Sequence, residues 1–271
     1  MERTLRRVFR AASATILIAA LFAAPPAART LSAGEGGSSY QKMADIDGKR
    51  IGVLTGTLFD YLVNASLDRT QLFYYDKLDA MLRDLRGDAL DCIVDDEPAL
   101  QFIAARDSRY RVIPDSFKSY EYALLFREDG AELAAEFNRE LAAMQAEGMI
   151  DELIAKWVGG GGEPTADFER YSGSKLVRLG VFTEAPPFVF RDLQNNIVGV
   201  DIEIVEHICR RLGYRLEVNP MSMDSLFDSL IDDTSDVIAA SISITDERRQ
   251  LGIFGTPYYK AGVSALVMAN R

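Results

Sequence analysis

One segment of this 271-residue chain is echoed without a gap 145 residues further on, and this repetition constrains the fold more than any other feature. Asp79, Leu85, Asp91 and Ile93 in LDAMLRDLRGDALDCIVDD recur as Asp224, Leu230, Asp236 and Ile238 in MDSLFDSLIDDTSDVIAAS. Each copy reads as a short amphipathic helix, a tight turn and an apolar strand introduced by Asp. Strands and helices alternating at such spacing imply parallel βαβ units, and open α/β sheets bind ligands beyond the carboxyl ends of their strands. The register sets Asp96, just past one strand, against Ser241 at the equivalent place in the other. Two such lobes predict a cleft with an acid on one wall and hydroxyls plus Arg248 on the opposite one.

The length suits two modest α/β lobes, each burying its own core. At the N-terminus, Arg3, Arg6, Arg7 and Arg10 precede an apolar run from Ala11 to Ala24, followed by Pro25 and Pro26. The run is too short and too Ala-rich for a membrane span and reads as a cleaved secretory signal over residues 1–33. Its loss takes the formal charge from −11 to about −15. So acidic a surface repels phosphate backbones and excludes nucleic acid as a partner. Cys92 and Cys209 fall in different halves and read as buried free thiols rather than a disulfide. His207, the one histidine, shares a polar helix face with Glu203, Arg210 and Arg211, which leaves no catalytic triad and too few ligands for a metal. No cofactor is expected.

Residues 34–47 read as an N-terminal linker. In the first half the pattern gives strand 50–54, a helix from Thr57, strand 72–75, helix 78–85, strand 92–94 and a helix near 98–105. A strand at 122–126 leads into helix 132–147 and a short helix carrying Trp157, read as a packing anchor. GGGGEPTADFERYSGSK is a linker, and it lacks the Lys-Ser/Thr that a phosphate-binding loop needs. The second half runs as strand 176–182, helix 200–212, strand 215–218, the echoed helix and strand, and a last strand at 263–269.

VRLGVFTEAPPFVFRD, GVDIEIVEHICRRLG, SDVIAASISITDERRQ and IFGTPYY resemble the first lobe of the periplasmic amino-acid-binding proteins of ABC importers, the extracellular solute-binding proteins of the polar amino-acid class, family 3. DIDGKRIGVLTGT, LRGDALDCIVDDEPA and AEGMIDELIAKW resemble that family's second lobe and closing helices. The resemblance implies an α/β, two-lobed periplasmic-binding-protein-like (type II) fold with the ligand cleft between lobes. The order of the segments is the reverse of the family's; the middle of a duplicated gene would also give this order, and the favoured reading is a circular permutation. Its expected parts are the second-lobe equivalent at 48–119, a hinge strand at 120–127, helices at 128–158 packing on the other lobe, a permutation linker at 159–174 and the first-lobe equivalent at 175–271. With the cut placed at a crossover, only one hinge strand is expected to stay continuous.

By the same resemblance Arg248 clamps the α-carboxylate of an amino acid, with Ser241 and Ser243 beside it, and Asp96 receives the α-ammonium. Thr57 is expected at a helix start, adding a hydroxyl and N–H groups near the carboxylate. Set against this, an Arg in a DERR run is ordinarily a solvated charge, and Asp96 could serve only as a helix cap for the segment containing Pro98. Asp91 and Asp236 read as turn residues. Where family members sandwich the ligand side chain between aromatics, Ala185 and Met223 stand here, and Phe182 replaces the acid of cation-binding members, which favours a less cationic side chain. The expected partners are a small-molecule ligand, an amino acid or similar small zwitterion, and an ABC permease in the inner membrane, with the receptor itself monomeric. Two other readings carry the same residues. A cyclohexadienyl dehydratase-like enzyme would use Glu97 or Glu184 as its acid, and a sensory module would present the ligand-bound form to a membrane kinase.

Overall fold

The computed structural model describes residues 40–158, 173 and 175–271. The signal segment and nearly all of the permutation linker lie outside the described residues. A 3-10 turn at Met43–Ile46 precedes β1 (Arg50–Leu54), α1 (Phe59–Ser66), β2 (Gln71–Tyr75), α2 (Leu78–Arg86), β3 (Cys92–Asp96), α3 (Glu97–Arg106) and β4 (Tyr110–Val112). The chain continues through β5 (Ser119–Tyr122), β6 (Leu125–Phe126), α4 (Ala131–Ala146) and α5 (Met149–Trp157). The second half holds β7 (Lys175–Val181), β8 (Glu184–Ala185), β9 (Val189–Arg191), β10 (Ile197–Val198), α6 (Val200–Leu212), β11 (Tyr214–Pro220), α7 (Met223–Ile231), β12 (Val237–Ala239), β13 (Ile253–Phe254) and β14 (Tyr259–Met268).

The echo is structural. In α2, Leu78, Met81 and Leu85 turn inward, and in α7 Met223, Leu226 and Leu230 do the same at the same spacing. Asp88 and Asp233, which correspond in the echo, both adopt the left-handed backbone, with φ of 65° and 62°. Asp91 and Asp236 do more than turn the chain. Asp91 accepts from the backbone N–H of Arg50 at 2.9 Å and from its Nη2 at 2.8 Å, while Asp236 accepts from the N–H of Arg178 at 2.8 Å and its Nη2 at 2.6 Å. Each lobe therefore staples its first strand to the turn before its third by an Arg–carboxylate fork. The Arg50 fork holds the Asp91 carboxyl below its usual range. Burial opposes ionisation of Asp236, and the Arg178 fork outweighs it.

Two main sheets result, ordered β2-β1-β3-β14-β4 and β11-β7-β12-β6-β13, with a small sheet β10-β9-β8 beside them. Each half contributes to the other's sheet. β6 lies antiparallel between β12 and β13 in the second sheet, and α4 and α5 follow it to that side. There Tyr214 donates to Glu136 at 2.9 Å and Lys156 pairs with Glu203 at 2.6 Å. Conversely, β14 crosses into the first sheet, pairing antiparallel with β3 (Val263 with Asp96, Leu266 with Ile93) and with β4.

That crossing corrects two expectations. The strand near 263–269 belongs with the first-half sheet rather than with the lobe at 175–271. Two continuous crossovers, rather than one, join the lobes: β5 into β6 and β13 into β14, with Tyr122 opposite Tyr259 and Ser119 opposite Gly262. The physical reason is that Gly262 falls within β14 while residues 263–267 are buried on both faces, so this run lacks the alternation that would assign it to one sheet. The strand expected at 122–126 is likewise broken in two, β5 serving the crossover and β6 the second sheet.

Trp157, the chain's one tryptophan, is fully buried, with its ring edge-on to Phe190 of β9 at 5.7 Å between centroids. It anchors a first-half helix to a second-half strand. Trp157→Ala is expected to lower the unfolding free energy by about 3–5 kcal/mol, read by denaturant titration followed by circular dichroism. A loss under about 1 kcal/mol, the scale of an exposed-site change, would mean that α5 does not dock there.

Candidate functional site

The carboxyl ends of β1, β3, β7 and β12 face each other across the boundary between the sheets. Approach is close: Gly56, at φ 76°, has no room for a side chain, because a Cβ there would stand 2.4 Å from Asp224 Oδ1 on the other lobe. The cavity left between the lobes has a volume of about 30 Å³. All eight residues singled out from the sequence line it: Thr57 and Asp96 from the first-half lobe, and Phe182, Ala185, Met223, Ser241, Ser243 and Arg248 from the other.

Asp96 is the last residue of β3 and sits at the amino end of α3, yet its side chain makes no capping hydrogen bond. The plain reading as a helix cap is thus not realised. Its Oδ2 lies 3.4 Å from the Ser241 hydroxyl, and its Oδ1 is buried without a partner. Burial raises the Asp96 carboxyl to about 6, with the Tyr122 hydroxyl, Arg248 and Ser241 working in the opposite direction. Asp95, which has no role in the sequence-based expectation, also lines the cavity, and its Oδ1 accepts from the Asp96 N–H at 2.7 Å. Burial and the neighbouring Asp96 push Asp95 well above the ordinary carboxyl range. This wall therefore presents two desolvated carboxyl groups.

On the other wall, Thr245 Oγ1 accepts from the Arg248 N–H at 3.2 Å and starts a 3-10 turn, Arg248–Gln250. Arg248 Nη1 donates to the Ser243 carbonyl at 3.3 Å, and the guanidinium carbon stands 4.9 Å from the centre of the Phe227 ring. Burial lowers the Arg248 pKa while Asp96 raises it. The DERR arginine is accordingly a held, half-buried cation rather than a solvated one. Thr57 differs from expectation: α1 begins at Phe59, and the Thr57 hydroxyl donates to the Leu54 carbonyl at 2.7 Å. Its oxygen lone pairs remain to accept, but its proton is engaged.

Glu184 also lines the cavity. It accepts from Lys77 Nζ and from the Leu78 N–H, each at 3.0 Å, so it clasps the amino end of α2 from the opposite lobe. Glu97 does not line the cavity and accepts from Gln101 at 2.8 Å. Both acids considered for an enzyme are thus hydrogen-bond acceptors in place.

Sequence reasoning missed the support beneath Ser241. This serine has φ of 46°, a left-handed backbone that costs a non-glycine residue roughly 1–3 kcal/mol. Its N–H donates at 2.8 Å to Asp201, which is fully buried on α6 and also accepts from the Tyr258 hydroxyl at 2.7 Å. Burial raises Asp201 to about 6, against those two donors. Gly199 sets α6 this close: at φ 133°, a Cβ would lie 2.1 Å from the Phe188 carbonyl oxygen. The signal was present in GVDIEIV, an acid at the start of an otherwise apolar helix face. Cys92 and Cys209 are buried free thiols, as expected.

The second half of the chain is similar to known proteins. Residues 177–271 match the bacterial extracellular solute-binding proteins, family 3. The L-cystine-binding protein TcyJ of Escherichia coli (strain K12) is 32% identical over 89 residues, 33% of this chain and 34% of that protein. A cyclohexadienyl dehydratase of Pseudomonas aeruginosa is 26% identical over 103 residues, 38% of each chain. Among solved structures, the arginine-bound form of domain 1 from TmArgBP is 32% identical, covering 35% of this chain and 80% of that one, with a TM-score of 0.31. The chain spans about a third of the length of the curated relatives it matches. What the comparisons show is a likeness of residues 177–271 to the bacterial extracellular solute-binding proteins of family 3.

Proposed function

We propose that this chain captures an amino acid or a similar small zwitterion between its lobes and passes it to an ABC permease in the inner membrane. One observation carries the reading: a buried carboxylate with an unpartnered oxygen, Asp96, and a held guanidinium, Arg248, line one interlobe cavity from opposite walls. A zwitterion supplies both missing partners, its ammonium to Asp96 and its carboxylate to Arg248, Ser241 and Ser243. Charge-assisted hydrogen bonds contribute roughly 1.5–3 kcal/mol each. Three or four of them, less the ordering cost, reach the roughly −8 kcal/mol of micromolar binding. Asp95 beside Asp96 favours a ligand whose side chain brings a further donor over one that is wholly apolar.

The family's relatives named for binding cystine and arginine support this class of ligand. Residues 1–33 act as the export signal, which makes the site of action periplasmic, and the receptor works as a monomer. The reversed order of segments is a circular permutation. The dehydratase reading needs an acid free to donate a proton, whereas Glu184 is tied to Lys77 and Leu78 and Glu97 stands outside the cavity. Turnover of arogenate or prephenate is therefore expected to be absent.

The test is a thermal-shift screen of protein stripped of ligand by refolding, run against the common amino acids. A ligand at a hundred times its Kd stabilises by about 2.7 kcal/mol, a rise of several degrees. One amino acid is expected to give that rise and to lose it in Arg248→Ala. No response of the wild type to any amino acid would overturn the reading.

A carboxylate kept for a ligand should cost the empty protein stability. Because the folded-state pKa of Asp96 stands above the ordinary carboxyl value, the native state binds more protons than the unfolded one between about pH 4 and 6. The contribution of this group therefore improves as pH falls through 6 and is unfavourable at pH 7.5. Asp96→Asn is expected to match or exceed the wild type in stability at pH 7.5, by up to about 3 kcal/mol, and to bind the amino acid at least about tenfold more weakly. A destabilised variant that still binds normally would contradict this assignment.

A further inference from the structure

Asp201 is a buried carboxylate that no ligand contact requires. It is fully enclosed, and its two oxygens are taken up by the Ser241 N–H and the Tyr258 hydroxyl. A group of this kind is expensive to keep ionised unless what it holds matters. What it holds differs between the two lobes. At the echoed positions, Asp96 has an ordinary extended backbone, φ −60°, and leads into α3, whereas Ser241 has φ 46° and leads back towards the crossover. After Ser241, the Ile242 carbonyl accepts from the Ala123 N–H at 3.2 Å and Ser243 bridges to Tyr122. Tyr258, on the other oxygen of Asp201, donates its own N–H to the Tyr122 carbonyl at 3.0 Å. One carboxylate thus spans the strand end that lines the cavity and the residue that opens the second crossover.

We propose that Asp201 is a positioning residue for ligand recognition, holding Ser241 in its left-handed turn so that the serine hydroxyl faces Asp96 and the bound zwitterion across the cleft. This rests on the amino-acid-binding reading of the cavity. Without the carboxylate, the Ser241 N–H loses its acceptor, and no other hydrogen bond to that N–H among the described residues offsets a β-carbon in that conformation. The turn relaxes toward the extended region, and the hydroxyl leaves the cavity wall. Glycine at 241 would take the same turn unaided, which separates positioning from a general loss of structure.

The experiment is a double-mutant cycle of Asp201→Ala, which removes the acceptor, and Ser241→Gly, with Kd measured by titration calorimetry using the amino acid found in the thermal screen. Asp201→Ala is expected to weaken binding at least about tenfold in the wild-type background and by no more than about twofold in the Ser241→Gly background. An equal penalty in both backgrounds, or no penalty in the first, would overturn the proposal. The Ser241 amide in the unaltered protein supplies a second measurement, read by hydrogen exchange in nuclear magnetic resonance. Exchange slowed at least about a hundredfold relative to a free loop amide is expected, and loop-like exchange would overturn the proposal even if Asp201→Ala fails to fold. A wild type that binds no amino acid would remove the binding reading, while the amide would still judge whether Asp201 holds Ser241.

Discussion

The pairing of β5 with the first residues of β14 is the constraint on which the cleft depends. Four residues of each strand face one another antiparallel, from Tyr122 opposite Tyr259 to Ser119 opposite Gly262. Phe188 packs edge-on against both tyrosines, at 5.3 Å from Tyr122 and 5.2 Å from Tyr259. At this ribbon the chain passes from one sheet to the other in both directions. Each lobe is completed only by a segment from the opposite half, β14 in one sheet and β6 in the other. Two paired strands thus tie the lobes together, which is the arrangement a hinge needs.

From that ribbon outward, the site follows from strand ends. β3 delivers Asp96 and β12 delivers Ser241, and the loop after Ser243 returns Arg248 over Phe227. Burial raises Asp96 and lowers Arg248, and it leaves Asp96 with an oxygen that the protein itself does not partner. Glu184 and Lys77 meet across the same gap, outside the charge pair, and favour the closed arrangement from the rim. A lone exposed ion pair contributes little. With Glu184 largely covered and also accepting from the Leu78 N–H, this one belongs to the stronger sort.

Much of this was legible in the sequence, for definite reasons. The helices α2 and α7 were readable because three-four spacing of Leu78, Met81 and Leu85 and of Met223, Leu226 and Leu230 leaves one face to bury. The eight cavity residues followed from the register of the echo and the family likeness. The Arg50–Asp91 and Arg178–Asp236 forks were not readable, because each joins residues about half a lobe apart whose pairing depends on strand order. Nor was the allegiance of β14, whose uniformly apolar end fits either sheet. The tie from Asp201 to Ser241 was hidden most deeply: it needs a helix end, a strand end and a left-handed serine to coincide.

In the proposed function, one ligand bridges the two walls through opposite charges. Calorimetric titration tests this with the amino acid that raises the melting midpoint, with its N-acetyl derivative and with its amide. The free amino acid is expected to bind, and each capped form, having lost the charge that meets Asp96 or Arg248, to bind at least about a hundredfold more weakly, in line with two charge-assisted bonds lost. A capped form that binds as tightly as the free amino acid would contradict it.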